Sequence, residues 1–330
     1  MREFEYAVAG DARAAIAAAR GGARYLAGGT NLVDLMKLGV ETPALVVDVS
    51  RLPFDSIEPT ADGGLLIGAM ASNSDVAAHP VVRQRYPVLA RALLSGASGQ
   101  LRNAATVGGN LLQRTRCGYF QDVTKPCNKR APGSGCPARD GDHRNHAILG
   151  ASKQCIATNP SDLAVALAAL DAVVVIEDDA GPRRIPLSEF YRRPGERPDL
   201  ETNLPPGALI TGVELPALGV AARSTYRKVR DRASYAFAVI SVAAALEVRE
   251  GIVDDVRIAL GGVAPLPWRA RRAEAALARV PATEESFRVA AVLELDAAEP
   301  LRDNAFKVPL ARNLITRVLL DLATASGATA

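Results

Sequence analysis

The chain has 330 residues, 48% apolar and 23% charged, with 39 Lys and Arg against 36 Asp and Glu for a formal charge of +3. That is the balance of an ordinary globular protein with room for two or three compact domains. No apolar run approaches the length that spans a bilayer, and the start Met1-Arg-Glu-Phe-Glu-Tyr6 puts acids where a leader needs an apolar stretch, so neither a membrane anchor nor a signal peptide of its own is expected.

Taken in chain order, residues 11–20 read as an Ala-rich helix, 24–27 as a short strand, 32–38 as a helix and 44–49 as a β-run, a small α/β unit that Pro53 closes. A second unit follows with a strand at 65–69, a helix that Asn73 or Ser74 would cap, and a helix at 87–94 ending at Ser95-Gly96. After Asn110 regular patterning stops. It returns at Ser161, which can cap an apolar helix over 162–170, with a strand at 172–177. Prolines and glycines recur from 189 to 216, which predicts a linker or crossover near 215–220. Beyond it, β-rich runs at 240–248 and 253–260 flank Glu250-Gly251 as a hairpin, and amphipathic helices are expected over 268–278, 283–295 and 305–322.

All four cysteines, Cys117, Cys127, Cys136 and Cys155, fall in the irregular segment. Their C-x9-C-x8-C-x18-C spacing is too wide for a zinc ribbon and unlike the C-x2-C runs of bacterial ferredoxins. Four soft ligands in one loop point to a metal or iron–sulfur centre, with a disulfide pair or inert buried thiols as the open alternatives. The surrounding residues 111–158 hold eight Lys and Arg against three Asp and no Glu. Nucleic-acid binding would want those cations interleaved with aromatics on a regular element, whereas this stretch has only Tyr119 and Phe120 and is broken by Pro126, Pro132 and Pro137. A thiolate-bound cluster is anionic, and Arg116, Lys125, Lys129 and Arg130 would lower the cost of holding it, unless they only form a solvated surface. His143 and His146 lie between the third and fourth cysteines; four thiolates already complete a cubane, so both are expected behind the ligands or at the surface. His79 is given no role.

Two glycine-rich segments, Leu26-Ala-Gly-Gly-Thr-Asn-Leu32 and Thr106-Val-Gly-Gly-Asn110, each offer backbone N–H groups to an anion and let a ligand approach closely. Either Gly-Gly pair alone is as readily a turn. Neither matches G-x-G-x-x-G or a Walker A loop, which argues against an ordinary Rossmann or P-loop site, while two such loops in one domain fit a pyrophosphate gripped from two sides.

Tyr25-Leu-Ala-Gly-Gly-Thr-Asn-Leu32, Asn103-Ala-Ala-Thr-Val-Gly-Gly-Asn110, Asn159-Pro-Ser-Asp162, Tyr226-Arg-Lys-Val229 and Ala259-Leu-Gly-Gly-Val-Ala-Pro265 resemble, in order and over nearly the whole chain, the FAD-binding medium subunit of the xanthine dehydrogenase/aldehyde oxidase family of molybdenum hydroxylases. The cysteine-bearing insertion resembles that of periplasmic aldehyde oxidoreductases of the bacterial PaoABC type, in which four such cysteines hold a [4Fe–4S] cluster. The resemblance implies an α+β chain: an FAD-binding fold of the vanillyl-alcohol oxidase type over 1–218, with α/β subdomains 1–52 and 53–218 and the cluster insertion at 111–158, then a C-terminal α+β domain over 219–330. Carried over residue by residue, it implies that Leu26, Ala27, Gly28, Gly29, Thr30, Asn31 and Leu32 wrap the FAD pyrophosphate. Thr106, Gly109 and Asn110 would complete the grip, Asp162 would meet a polar part of FAD and Lys228 would lie near the flavin. Without the resemblance, Asp162 is an acid in the first turn of a helix and Lys228 an exposed strand residue.

The implied function is electron transfer without a catalytic residue of its own. Aldehyde, or a heterocycle as in xanthine dehydrogenases, would be oxidised at a molybdenum cofactor in a large partner, with [2Fe–2S] centres in a small partner passing electrons to FAD. No nucleic acid or membrane partner is implied, and the complex would lie in the periplasm by co-export with a partner or in the cytoplasm. Two readings compete: a stand-alone flavin oxidase, which would often attach its flavin through His or Cys although neither occurs after Cys155, and a metal-stabilised binding module, which leaves two phosphate-type loops unexplained.

Overall fold

The computed structural model describes residues 1–327. The first sheet is parallel, with β1 (Glu5–Val8), β2 (Arg24–Leu26) and β3 (Leu45–Asp48) in the order β1-β3-β2. The helix Ala12–Arg20 crosses it, started by Asp11, whose carboxylate accepts the Ala14 N–H at 2.7 Å. Ala15 and Ile16 of that helix pack on Val47, Val49 and Leu52. β1 was not expected, because all four of its side chains are exposed and no alternation marks it.

The second sheet is antiparallel and holds β4 (Ile57–Pro59), β5 (Leu65–Gly68), β6 (Val173–Asp178), β7 (Gly181–Pro186) and β8 (Leu209–Leu215) in the order β4-β5-β8-β6-β7. The Pro- and Gly-rich run 189–216 contains the central strand of this sheet, and the linker expected near 215–220 begins where that strand ends. Pro205, Gly207 and Pro216 bracket β8 rather than interrupt it, while Leu209, Ile210, Val213 and Leu215 are buried. Thr211-Gly212 breaks the apolar pattern inside, and Gly212 is needed there because a Cβ would meet Ile67 O at 3.0 Å.

The third sheet, also antiparallel, runs β12-β11-β10-β9 from β9 (Ser224–Val229), β10 (Ile240–Arg249), β11 (Ile252–Gly261) and β12 (Trp268–Arg269). Glu250 and Gly251 both have positive φ, 52° and 77°, the backbone of the tight hairpin turn foreseen. Trp268–Arg269, expected to open a helix, is this edge strand, and the helix begins at Arg271. β10 reads as a continuous apolar run because both its faces are buried: Ala243 faces the core shared with the second sheet, and Val242, Ala244 and Leu246 face the helices Arg271–Leu277, Glu284–Leu295 and Lys307–Gly327. The helices Pro87–Ser95 and Asp162–Ala169 fill the space between the second and third sheets, and their facing loops form part of the wall of a large cavity. The cysteine segment carries little regular structure beyond Gly118–Gln121 and a turn at Pro137–Arg139. It is sewn to the third sheet by Ile148 N–H and Leu149 N–H donating to Val263 O at 2.8 and 3.0 Å. Among the described residues no helix is long and apolar enough to cross a membrane.

Candidate cofactor sites

A cavity of about 720 Å³ opens where the glycine-rich loops, the Asn159–Asp162 segment and β9 meet, a size usual for small-molecule and cofactor sites. Of the residues singled out from the sequence, Thr30, Asn31, Gly109, Asn110, Asp162 and Lys228 line it. Leu26, Ala27, Gly28, Gly29, Leu32 and Thr106 stand behind them, so the two loops meet the cavity unequally. In the second loop Val107 N–H donates to Ala71 O, Gly108 N–H to Ala69 O, Gly109 N–H to Thr106 Oγ1 and Asn110 N–H to Thr106 O. Its donors are spent inside the fold, and Thr106, expected to face the ligand, serves as the cap of the short helix Val107–Leu111. In the first loop the N–H groups from Gly28 to Asn31 have no acceptor among the described residues. Among the described residues the first loop thus keeps free N–H donors, while those of the second are taken up inside the fold. Gly28 is the point of contact, since a Cβ there would lie 1.7 Å from Ala104 O.

Five side chains that line this cavity carry buried polar atoms without a partner among the described residues: Asn31 Nδ2, Asn73 Oδ1, Arg116 Nε, His146 Nδ1 and Ser241 Oγ. Leaving such atoms unpaired costs about 1–3 kcal/mol each, so the cavity is built for a polar occupant. Arg116, which the sequence suggested as a neighbour of the cysteine centre, has no carboxylate partner among the described residues, stacks over the Phe237 ring at 5.0 Å, donates to Gln113 Oε1 at 3.5 Å and lines the cavity. Burial pulls its pKa below the ordinary guanidinium value, which a bound anion would reverse.

Asp162 follows Ser161, whose hydroxyl accepts the Ala164 N–H at 2.9 Å and donates to Asn110 Oδ1 at 2.7 Å. This tie fixes the helix start against the second loop. Lys228 donates to Asp162 Oδ2 at 2.7 Å, and the Tyr226 hydroxyl donates to Asp162 Oδ1. Lys228 is buried rather than an exposed strand residue, its side chain 4% exposed. Tyr226 and Lys228 share one face of β9 by the two-residue period, and that face looks onto the helices rather than solvent. Burial first, then the Asp162 charge, raises the Tyr226 pKa well above its ordinary value, so Tyr226 remains a donor and Asp162 an acceptor.

The four cysteines, none in a disulfide, line one small second cavity together with His146. Burial pushes the Cys117 thiol up to about 11 and raises Cys136 and Cys155 as well. Opposing it, peptide N–H groups of Phe120 and Tyr119 favour the Cys117 thiolate, those of Ile156, Ala138 and Arg139 the Cys136 thiolate, and Lys129 with the Ala157 peptide the Cys155 thiolate. Peptide dipoles aimed at sulfurs suit thiolates that ligate iron. Among the described residues no three His, Cys, Asp or Glu side chains stand close enough for one metal ion.

The expected cations around the cysteines are mostly used otherwise. Lys129 is buried and bonds Glu201 Oε1 at 2.9 Å and Pro198 O at 3.0 Å, and Arg130 staples the carbonyls of Tyr119, Phe120 and Lys125. Arg114, which the sequence reading passed over, bridges Glu41 at 2.6 Å and Glu201 at 2.7 Å, joining the first α/β unit to the cysteine segment. Burial would raise the Glu201 carboxyl, but Lys129 and Arg114 outweigh it and hold Glu201 below the usual range. His146, expected behind the ligands or at the surface, stands behind one of the cysteines, its Nε2 3.1 Å from Cys117 Sγ. Cys117, Tyr119 and His146 line both cavities, so the two candidate cofactor sites share a wall.

Residues 2–218 match the family described as the FAD binding domain in molybdopterin dehydrogenase, and residues 224–322 match the CO dehydrogenase flavoprotein C-terminal domain. The chain is 51% identical to the aldehyde oxidoreductase FAD-binding subunit PaoB of Escherichia coli K12, covering 97% of this chain and 98% of that one. It is 27% identical to the glyceraldehyde dehydrogenase medium chain of Sulfolobus acidocaldarius over 76% of this chain and 72% of that one. Among solved structures, carbon monoxide dehydrogenase from Hydrogenophaga pseudoflava superposes with a TM-score of 0.76 at 26% identity, covering 98% of each chain. With two family matches in tandem and a relative of this identity along nearly its full length, the chain belongs to the FAD-binding medium subunits of the molybdenum hydroxylases, a family of oxidoreductases.

Proposed function

We propose that this chain is the electron-transfer subunit of an aldehyde oxidoreductase: FAD occupies the larger cavity, Cys117, Cys127, Cys136 and Cys155 hold a [4Fe–4S] cluster, and electrons arrive from a molybdenum cofactor in a large partner through [2Fe–2S] centres in a small one. The observation that carries this is the pair of adjoining cavities, one with unpaired polar atoms and free peptide donors, the other with four free thiols. FAD supplies the exchange between electrons that come singly and leave in pairs, and the cluster a one-electron relay or an anchor. The chain's own residues bind and orient. Gly28 to Asn31 offer N–H groups and Arg116 a cation to the phosphates, while the Asp162–Lys228–Tyr226 set fixes one wall. The ammonium of Lys228 is already committed to Asp162, so it acts on the flavin through that wall's charge and position. None of these groups activates a carbonyl or C–H bond, which leaves substrate oxidation to a partner. An aldehyde is favoured over carbon monoxide or a heterocycle because PaoB is the 51% relative. The division into 1–218 and 219–330 belongs to this reading and is supported by where the two family matches meet.

The test is cofactor analysis of the chain purified anaerobically with candidate molybdenum and [2Fe–2S] subunits. One noncovalent FAD and about four irons per chain are expected, with aldehyde turnover in the complex and none by this chain alone. Cys127→Ser should lower iron while FAD stays bound, because the FAD cavity has no contribution from Cys127. Zinc in place of iron would remove the cluster, and molybdenum-free turnover by the lone chain would establish a stand-alone oxidase instead.

A further inference from the structure

We infer that His146 is a positioning residue for the cysteine site: its Nε2–H donates to Cys117 Sγ and holds that one ligand at the wall shared with the FAD cavity. The inference rests on the cluster reading above. Cys117 is the only one of the four cysteines that lines both cavities. His146 Nε2 stands 3.1 Å from its sulfur, within the range of an N–H···S contact, and the ring is 7% exposed. Nδ1 has no partner among the described residues, so the contact with Cys117 is the ring's sole polar tie. A thiolate bound to iron has no proton to give, so the contact persists only with the proton on Nε2.

The backbone behind the ring is clamped. The His146 carbonyl receives Lys307 Nζ at 2.9 Å and Asn304 Nδ2 at 3.3 Å, Lys307 also donates to Gly262 O at 2.7 Å, and both Lys307 and Asn304 are fully buried. His143 Nε2 accepts the Asp303 N–H at 3.0 Å, and His146 N–H closes the turn onto His143 O. The turn 143–146 is thus fixed by the start of the helix Lys307–Gly327, and the ring is held rather than free to swing. A donor on a ligand sulfur draws charge from it and eases reduction of the metal, raising the potential.

The experiment uses the assembled complex with His146→Leu and His146→Gln, the second keeping a terminal N–H donor. Iron per chain is counted, and the one-electron reduction of the cluster, with dithionite supplying the electron through mediators, is followed by EPR. With iron and FAD at wild-type levels, the Leu variant should show a cluster midpoint shifted to more negative potential, and Gln should recover part of the shift. An unmoved midpoint in an iron-replete Leu variant overturns the assignment and leaves the cluster reading intact. If Leu loses iron, Gln decides: iron and midpoint near wild type support the hydrogen bond, and equal iron loss overturns it. Wild-type protein without iron overturns the cluster and this inference together.

Discussion

Gly28→Ala separates a glycine that serves a ligand from one that serves the fold. A methyl at Gly28 would lie 1.7 Å from Ala104 O and 2.6 Å from its carbonyl carbon, where real contacts begin near 3.0 Å, so the carbonyl must withdraw by at least about 1.3 Å. That peptide is not free to move. Ala105 N–H is bonded to Leu101 O at 2.8 Å, and Ala105 O receives Asn73 N–H at 2.8 Å. Overpacking of this kind costs about 1–3 kcal/mol, and a clash with backbone rather than a side-chain tip puts it near the upper end. For a domain of about 200 residues that is a loss of roughly 6–12 °C in Tm. The displaced loop carries Thr30 and Asn31 at the cavity wall, so FAD affinity should fall at least tenfold, about 1.4 kcal/mol. Gly29→Ala is the control. Gly29 has φ +68°, which costs a side chain about 1–2 kcal/mol, but its Cβ would meet only movable side-chain tips, Val33 Cγ2 at 3.1 Å and Leu26 Cδ1 at 3.4 Å. Thermal melts and FAD titration by flavin fluorescence should therefore rank Gly28→Ala as the more damaging. Wild-type Tm and FAD affinity in Gly28→Ala would refute the claim that the two loops touch there.

The buried Asp162–Lys228 pair should be strongly asymmetric to mutation. Asp162→Ala leaves an ammonium without its carboxylate and should cost about 3–5 kcal/mol of stability, whereas adding Lys228→Met to it should restore part of the loss. Denaturant unfolding of both singles and the double reads this, and strictly additive losses would contradict a direct pair. Lys307 supplies a pH dependence. Burial lowers its pKa from 10.5 to about 7. Below pH 7 folded and unfolded chains both carry the proton and the fold bears the full cost. Between pH 7 and 10.5 the unfolded chain keeps a proton the fold has released, so stability rises with pH. At about 1.4 kcal/mol per unit, wild type should gain about 2 kcal/mol relative to Lys307→Met between pH 7 and 9, read from paired unfolding curves. A constant difference would show that Lys307 stays charged in the fold.

What the sequence displayed and what it hid divide along one line. Local signals were legible: the Ser161 cap, the Glu250-Gly251 hairpin and the grouping of four cysteines each lie within a few residues or one loop. β8 was hidden because Pro and Gly mark the ends of a strand as readily as a linker, and its neighbours β5 and β6 lie far away in sequence. Lys228 on an alternating strand gives no sign of which face is buried until Asp162, 66 residues away, is placed opposite it. The basic character of the cysteine segment was visible, but its use was not, since Lys129 and Arg130 turn inward to Glu201 and to carbonyls.

That inward turn bears on how the two cofactor sites are kept apart yet adjacent. Lys129 and Arg130 bond Glu201 and backbone carbonyls, and apart from the Lys129 charge near Cys155 the sulfurs are compensated by peptide N–H groups and faced by His146. The larger cavity follows the opposite logic: among the described residues Arg116 is left without a carboxylate, and Asn31 Nδ2 and Asn73 Oδ1 without a partner. A fold that pairs nearly all its buried polar atoms leaves these unpaired where an anionic, polar ligand would complete them. Cys117 stands on the boundary, with a sulfur toward one site and its residue in the wall of the other. On the proposed cofactor assignment, Cys117 is the one cysteine common to both walls, so the His146 turn that borders it is placed to influence both sites.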